Sequence, residues 1–341
     1  MSELLKLPAA ELREIYTGLA QRQKRAANVL EKDVWVVWTL GALFEMPGRL
    51  PMAFKGGTSL SKVFKAIERF SEDIDVTLDY HSFPTKYGLM EPLKGNRRVD
   101  RDQSIRVLAA KHVRDIVRPY LQERLTAEFG LDPARVTLED DGQSLRLPYP
   151  SALTPADAYI AESIKIEFGG RNPAEPTQVA TIEADIAADL APSGLDLPTA
   201  TVDVLAAERT FWEKATLIHA ECRHPEFGRT RPVGRKSRHW YDLHALADHE
   251  AGTRALNRPD LLRSVVEHKN VYYPSGSAHY EECLTGRLRL VPDEPGLAGL
   301  ERDYHAMERS GMFYGSPPTF REIVTRLREL EAVINHGQPR Q

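Results

Sequence analysis

The chain has 341 residues, 42% of them hydrophobic and 28% charged, with a formal net charge of −4. That length supports a sizeable core divided into two lobes, and the net acidity argues against a protein that coats nucleic acid over its whole surface. No stretch approaches the roughly 18 apolar residues that span a bilayer, and residues 1–12 lack the cationic segment and apolar run of a secretory leader.

The first fifty residues read as helical. Leu12, Ile15, Tyr16 and Leu19 recur at helical spacing, and 29–44 continues with Trp35, Trp38 and Leu43. Pro47, Gly48 and Pro51 end that pattern. Met52-Ala53-Phe54 then runs into Gly56-Gly57, and a helix is expected from Thr58 to about Ile67. The alternation of Asp73-Ile74-Asp75-Val76-Thr77-Leu78 predicts a half-buried strand. A polar loop over 80–100 precedes a long helix to about Phe129. In Ser163-Ile164-Lys165-Ile166-Glu167-Phe168 the apolar residues share one face, with Lys165 and Glu167 on the other; 181–186 alternates more weakly. From about 201 onward the chain reads as helical, with helices near 203–221, 239–249, 259–270 and 318–335. There is no internal repeat and no low-complexity tract. Two domains are expected: an α/β lobe with N-terminal helices over 1–200, and a helical lobe over 201–341.

The glycine pair and the aspartate pair are the strongest chemical signal. Two carboxylates two residues apart on a strand project from one face, the way a site presents paired oxygen ligands to Mg²⁺. Glycines before a helix allow backbone N–H groups to approach phosphate, so Gly56, Gly57 and Thr58 are nucleotide-binding candidates. Thr58 can cap that helix or offer its hydroxyl to a phosphate oxygen. A third carboxylate is expected on a neighbouring strand. Glu167 suits that role, in competition with Glu183 and Asp185. Ser71 is read as the start of the strand turn, although a phosphate there would set negative charge beside the aspartates.

Further along, Cys222 and Cys283 give no disulfide framework, which fits a reducing cytoplasm. His219, Cys222 and His224 are spaced almost as zinc ligands, but no second cysteine cluster completes such a site. Residues 223–238 hold Arg223, Arg229, Arg231, Arg235, Lys236 and Arg238 against a single acid, Glu226. Such a loop can grip RNA phosphates, or be an ordinary solvated connector.

Lys55-Gly56-Gly57-Thr58-Ser59-Leu60, followed by Arg69-Phe70-Ser71-Glu72-Asp73-Ile74-Asp75, resembles the AbiEii/AbiGii toxin family of nucleotidyltransferases. The likeness continues through Ile166-Glu167-Phe168-Gly169-Gly170-Arg171, Glu208-Arg209-Thr210-Phe211-Trp212-Glu213-Lys214 and Ser237-Arg238-His239-Trp240-Tyr241-Asp242-Leu243, spanning roughly residues 30–250. Gly57-Thr58 stands where the family motif has Gly-Ser, and either hydroxyl can serve. The resemblance implies an α+β fold: a polymerase-β-like nucleotidyltransferase lobe with an N-terminal helical segment and a helical C-terminal lobe. It also implies a toxin with a cognate antitoxin from the same operon, some relatives acting on tRNA 3′ ends. By the family pattern, Asp73 and Asp75 bind metal, and residues matching Lys214 and Asp242 are required.

Lys214 can act as a point charge on triphosphate oxygens, or pair with Glu208 or Glu221 on its own helix. Asp242 lies one turn after Arg238, itself a nucleotide-binding candidate, and the two can form a helix ion pair. In function, Asp242 can accept the proton of an acceptor hydroxyl or orient Lys214. The expected activity is Mg²⁺-dependent transfer of a nucleotide from a nucleoside triphosphate to a tRNA 3′ end. The alternatives are a protein or small-molecule hydroxyl as acceptor, or nucleotide binding without turnover.

Overall fold

A computed structural model describes residues 2–153 and 162–337. The chain divides into two compact units, each discontinuous in sequence: unit 1 comprises 1–63, 70–86 and 100–205, and unit 2 comprises 64–69, 87–99 and 206–341.

Unit 1 is built on one seven-stranded mixed sheet. Helices α1 (Ala9–Gln23) and α2 (Ala27–Phe44) lead into β1 (Met52–Lys55), α3 (Gly56–Lys62) and β2 (Ile74–Asp79). After α4 (Gly95–His112), a π-turn over Val113–Val117 and α5 (Arg118–Phe129) come β3 (Thr137–Leu138), β4 (Ser144–Pro148), β5 (Ser163–Asn172), β6 (Thr177–Glu183), α6 (Ala187–Leu190) and β7 (Thr199–Leu205). The strand order is β3-β4-β5-β2-β1-β7-β6. β2 pairs antiparallel with β1 and parallel with β5, which sets Asp75 opposite Lys55 on one side and Glu167 on the other. Ile74, Val76, Ile164, Ile166 and Phe168 are buried, the period-two pattern of strands with one face on the core. α2 is buried at nearly every position, and Gly41 lets it approach β7: a Cβ there would lie 3.0 Å from the Thr199 carbonyl oxygen.

Unit 2 is helical: α7 (Ala207–Arg223), α8 (Ser237–Asp248), α9 (Glu250–Leu256), α10 (Pro259–Tyr272), α11 (Glu294–Arg309) and α12 (Phe320–His336). Thr319 and Glu322 close a reciprocal capping box on α12, satisfying N–H groups that a helix start otherwise leaves open.

Three expectations need correction. Asp73 precedes β2 rather than lying within it. The helix after the glycines stops at Lys62 instead of reaching Ile67, because Lys65 takes a left-handed φ of 52° and 64–69 packs in unit 2. Residues 199–205 form a strand whose Ala200, Val202 and Val204 alternate inward. The change to helix therefore comes at Ala207.

Candidate active site

In unit 1, the chain turns from β1 into α3 through Gly56, whose φ of 81° is a conformation glycine adopts without steric cost. A Cβ at this position would lie 2.0 Å from Asp75 Oδ2 and 2.8 Å from its Cγ. The Asp75 carboxylate therefore sits directly on the bare Cα of Gly56, a place no other residue type would leave open. Thr58 is buried, with Oγ1 2.5 Å from the Asp73 carbonyl oxygen and 2.9 Å from Ser71 Oγ. Its hydroxyl is thus engaged inside the protein: it neither caps α3 nor faces a ligand, and it pins the turn that delivers Asp73. Ser71 belongs to the same turn.

The donor chemistry suits a hard divalent cation. Asp73 and Asp75 are half-buried and carry oxygen ligands only, and Mg²⁺ commonly takes one or two carboxylates with the rest of its shell from phosphate and water. Among the described residues no group of three His, Cys, Asp or Glu is placed to hold a metal. Glu167 stands in register with Asp75, but its carboxylate is ion-paired with Lys165, two residues away on the same face. The hydrogen bond to Glu167, then the fields of Glu167 and Asp73, raise the Lys165 ammonium above the ordinary lysine range. Lys165 thus brings positive charge to the place where sequence reading put a third metal ligand.

The rivals of Glu167 fall elsewhere. β6, with Glu183, is the far edge of the sheet, and Asp185 is bound to Lys62 and Arg25 at 2.7 and 2.6 Å. Burial alone would raise the Asp185 carboxyl, but Lys62 and Arg25 outweigh it and hold the group at about 2.

Sequence reading missed the charged run Glu31-Lys32-Asp33 on α2, all three buried. Glu31 accepts from Ser151 Oγ (2.7 Å) and Ala152 N (2.6 Å). Lys32 pairs with Glu72, the residue before Asp73, and Asp33 accepts from Lys62 of α3 at 2.7 Å. These contacts fix the glycine-turn helix and the approach to the aspartates. Three consecutive charges within an otherwise apolar helix were the available signal.

Unit 2 holds the second cluster. Asp242 on α8 is fully buried. Arg69 donates to both its oxygens, Nε to Oδ1 at 2.7 Å and Nη2 to Oδ2 at 2.9 Å, and Lys214 Nζ of α7 donates to Oδ2 at 2.8 Å. Burial alone would raise this carboxyl; Arg69 and Lys214 overcome that and hold it well below the usual carboxylate range. Both helix-pair alternatives are corrected. Glu208 pairs with Arg254 and Glu221 with Arg231 and Lys236, so Lys214 goes to Asp242. Arg238 does not pair with Asp242; it is half-buried, and its Nε is enclosed without a hydrogen-bond partner. A cavity of about 870 Å³ in unit 2 opens on Lys65, Glu68, Tyr241, His244, Arg321 and Arg326 and takes in none of the sequence-predicted site residues.

The loop between α7 and α8 is less cationic than its sequence suggests. Arg223 pairs with Glu282, Arg229 with Asp293, and Arg231 and Lys236 with Glu221. These acids lie outside the loop, so the loop sequence alone overstates its charge. The zinc alternative is also settled for His219: its Nε2 faces the His279 carbonyl oxygen at 3.2 Å and its Nδ1 accepts from Arg289 N at 2.9 Å.

The sequence model of the family described as "Nucleotidyl transferase AbiEii toxin, Type IV TA system" matches residues 38–326. Among solved structures, this chain is similar to MenT4, a nucleotidyltransferase toxin from Mycobacterium tuberculosis H37Rv. The TM-score is 0.42 at 17% identity, covering 97% of this chain and 99% of that one. No curated protein matches the chain.

Proposed function

Since the chain belongs to the AbiEii nucleotidyltransferase toxin family of type IV toxin–antitoxin systems, we propose that it transfers a nucleotide from a nucleoside triphosphate to the 3′ end of tRNA. Its neutralising partner is then the antitoxin that the family implies. The observation that carries the enzymatic reading is the seat of Asp75 on Gly56, which presents a carboxylate beside the glycine turn.

In this reading Asp73 and Asp75 hold Mg²⁺, which when bound neutralises triphosphate oxygens and acidifies the attacking hydroxyl. Asp75 is oriented by Gly56, and Asp73 by the Thr58 bond to its carbonyl. Lys214 supplies a point charge to the triphosphate. Asp242 orients Lys214 in this reading: its two oxygens take three donors, and Arg69 and Lys214 hold the carboxyl well below the usual range, which makes it a weak base. For the acceptor, Arg223, Arg229, Arg231 and Lys236 of the 223–238 loop are tied in part-exposed ion pairs. Such pairs are worth only about 0–1 kcal/mol, so a phosphate can exchange with the carboxylate. The acids nevertheless lower the attraction of the loop for RNA.

The test is incubation of the purified protein with each α-labelled triphosphate and total cellular RNA, beside Asp75→Asn. Label entering tRNA, lost in the variant, is the expected result. Label on a protein or small molecule instead would replace the acceptor, and transfer undiminished in Asp75→Asn would overturn the site.

A further inference from the structure

Arg69 lies on the short segment 64–69 that the chain contributes to unit 2, and it is 3% exposed. The backbone around it is fixed within that unit. Arg69 forms a β-bridge with Phe313, Tyr314 N donates to the Glu68 carbonyl at 3.0 Å, and Glu68 N donates to Tyr241 Oη at 3.2 Å. Its guanidinium then meets Asp242 as a fork, one nitrogen to each carboxylate oxygen.

That geometry does something a single donor cannot. A carboxylate held at one oxygen can still swing about its Cβ–Cγ bond; held at both by a planar fork it cannot. Oδ2, fixed in this way, is the atom that receives Lys214 Nζ. Lysine has a long, freely rotating stem, so the place of its ammonium is set by its acceptor. Charge matters as well. Asp242 and Lys214 alone would be a neutral pair; Arg69 is a second cation on the same carboxylate.

We propose that Arg69 is a positioning residue for nucleotide transfer: through Asp242 it fixes the Lys214 ammonium. The inference rests on the reading that Lys214 acts on the triphosphate, and nothing in it requires Arg69 to touch substrate.

The experiment is a kinetic double-mutant cycle on the full chain. kcat and KM for the triphosphate are measured for Arg69→Met, Arg69→Lys and Lys214→Met, and for each Arg69 change combined with Lys214→Met. A displaced ammonium should lower kcat/KM on the order of 100-fold in Arg69→Met. In the Lys214→Met background the same change should cost less than about twofold, because the group it positions is gone. Arg69→Lys keeps the charge but not the fork. It should show a smaller loss that likewise disappears without Lys214, and it decides the matter if Arg69→Met does not fold. Equal losses in both backgrounds would mean a purely structural arginine and overturn the proposal. Full activity of Lys214→Met alone would instead overturn the reading of Lys214 on which it rests, a distinguishable failure.

Discussion

Asp242→Asn removes the carboxylate that Arg69 and Lys214 share, and its effect on stability can be worked from the geometry. The residue is fully buried and accepts three charged hydrogen bonds of 2.7–2.9 Å. Asparagine keeps the volume but leaves two cations in a dry site without counter-charge. Breaking a buried ion pair from one side costs about 3–5 kcal/mol. With a urea slope of roughly 2 kcal/mol per molar, the midpoint for unit 2 should fall by about 1.5–2.5 M. Trp212 and Trp240 both lie in unit 2 with their indole N–H groups bonded to backbone carbonyls at 3.1 and 2.9 Å. Their fluorescence, read in a Trp35→Phe/Trp38→Phe background, isolates that transition. Replacing the whole cluster (Arg69→Met, Asp242→Leu, Lys214→Met) should recover most of the loss, since an apolar set of similar volume has no stranded charge. A midpoint for Asp242→Asn within about 0.5 M of the parent, roughly 1 kcal/mol, would refute the account of the cluster.

Gly56→Ala should behave like a mild Asp75 variant: the added methyl strikes the carboxylate, and the left-handed backbone adds about 1 kcal/mol of strain. Near-normal turnover would remove the glycine from the site. Asp75→Asn itself should keep the thermal transition and lose transfer by several powers of ten, roughly what metal positioning supplies; measurable turnover near the parent level contradicts that. Glu221→Gln frees Arg231 and Lys236, so RNA affinity should rise and its log–log salt slope steepen by up to about two units; an unchanged slope would make the loop a mere connector. Acid should destabilise unit 2. Asp242 has a folded-state value below its unfolded one, so its stabilisation is complete above about pH 4 and declines as pH falls toward and below about 2. A urea midpoint flat from pH 5 to 2.5 would exclude it.

Much of the site's frame was legible because local rules carry it. Gly56-Gly57 and the Asp-x-Asp alternation announce a turn and a strand face, and β5 could be read from its period-two pattern. What could not be read was contact at long range. Arg69 and Asp242 are 173 residues apart, and no spacing rule pairs them; reading along one helix offered Arg238 instead. Glu31, Lys32 and Asp33 were passed over because a charge is ordinarily taken as solvent-facing, yet each of them has a partner on another element. The loop after α7 was overread for the converse reason: its neutralising acids come from other parts of unit 2. For Glu167 the face argument left out a neighbour: Lys165 shares that face and pairs with the carboxylate.

The interleaved units described above bear on how the polypeptide can be divided. A fragment starting at Ala206 would contain Lys214 and Asp242 but not Arg69, and it would lack the backbone of 64–69 that bridges to Phe313 and Tyr314. A fragment ending at Leu205 would carry 64–69 and 87–99 without the helices of unit 2. A cut between 205 and 206 therefore separates residues that pack in one unit, whereas a cut in a loop inside one unit need not. On the ribosome, too, residues 64–69 emerge well before Phe313 and Tyr314, which they meet in the folded unit.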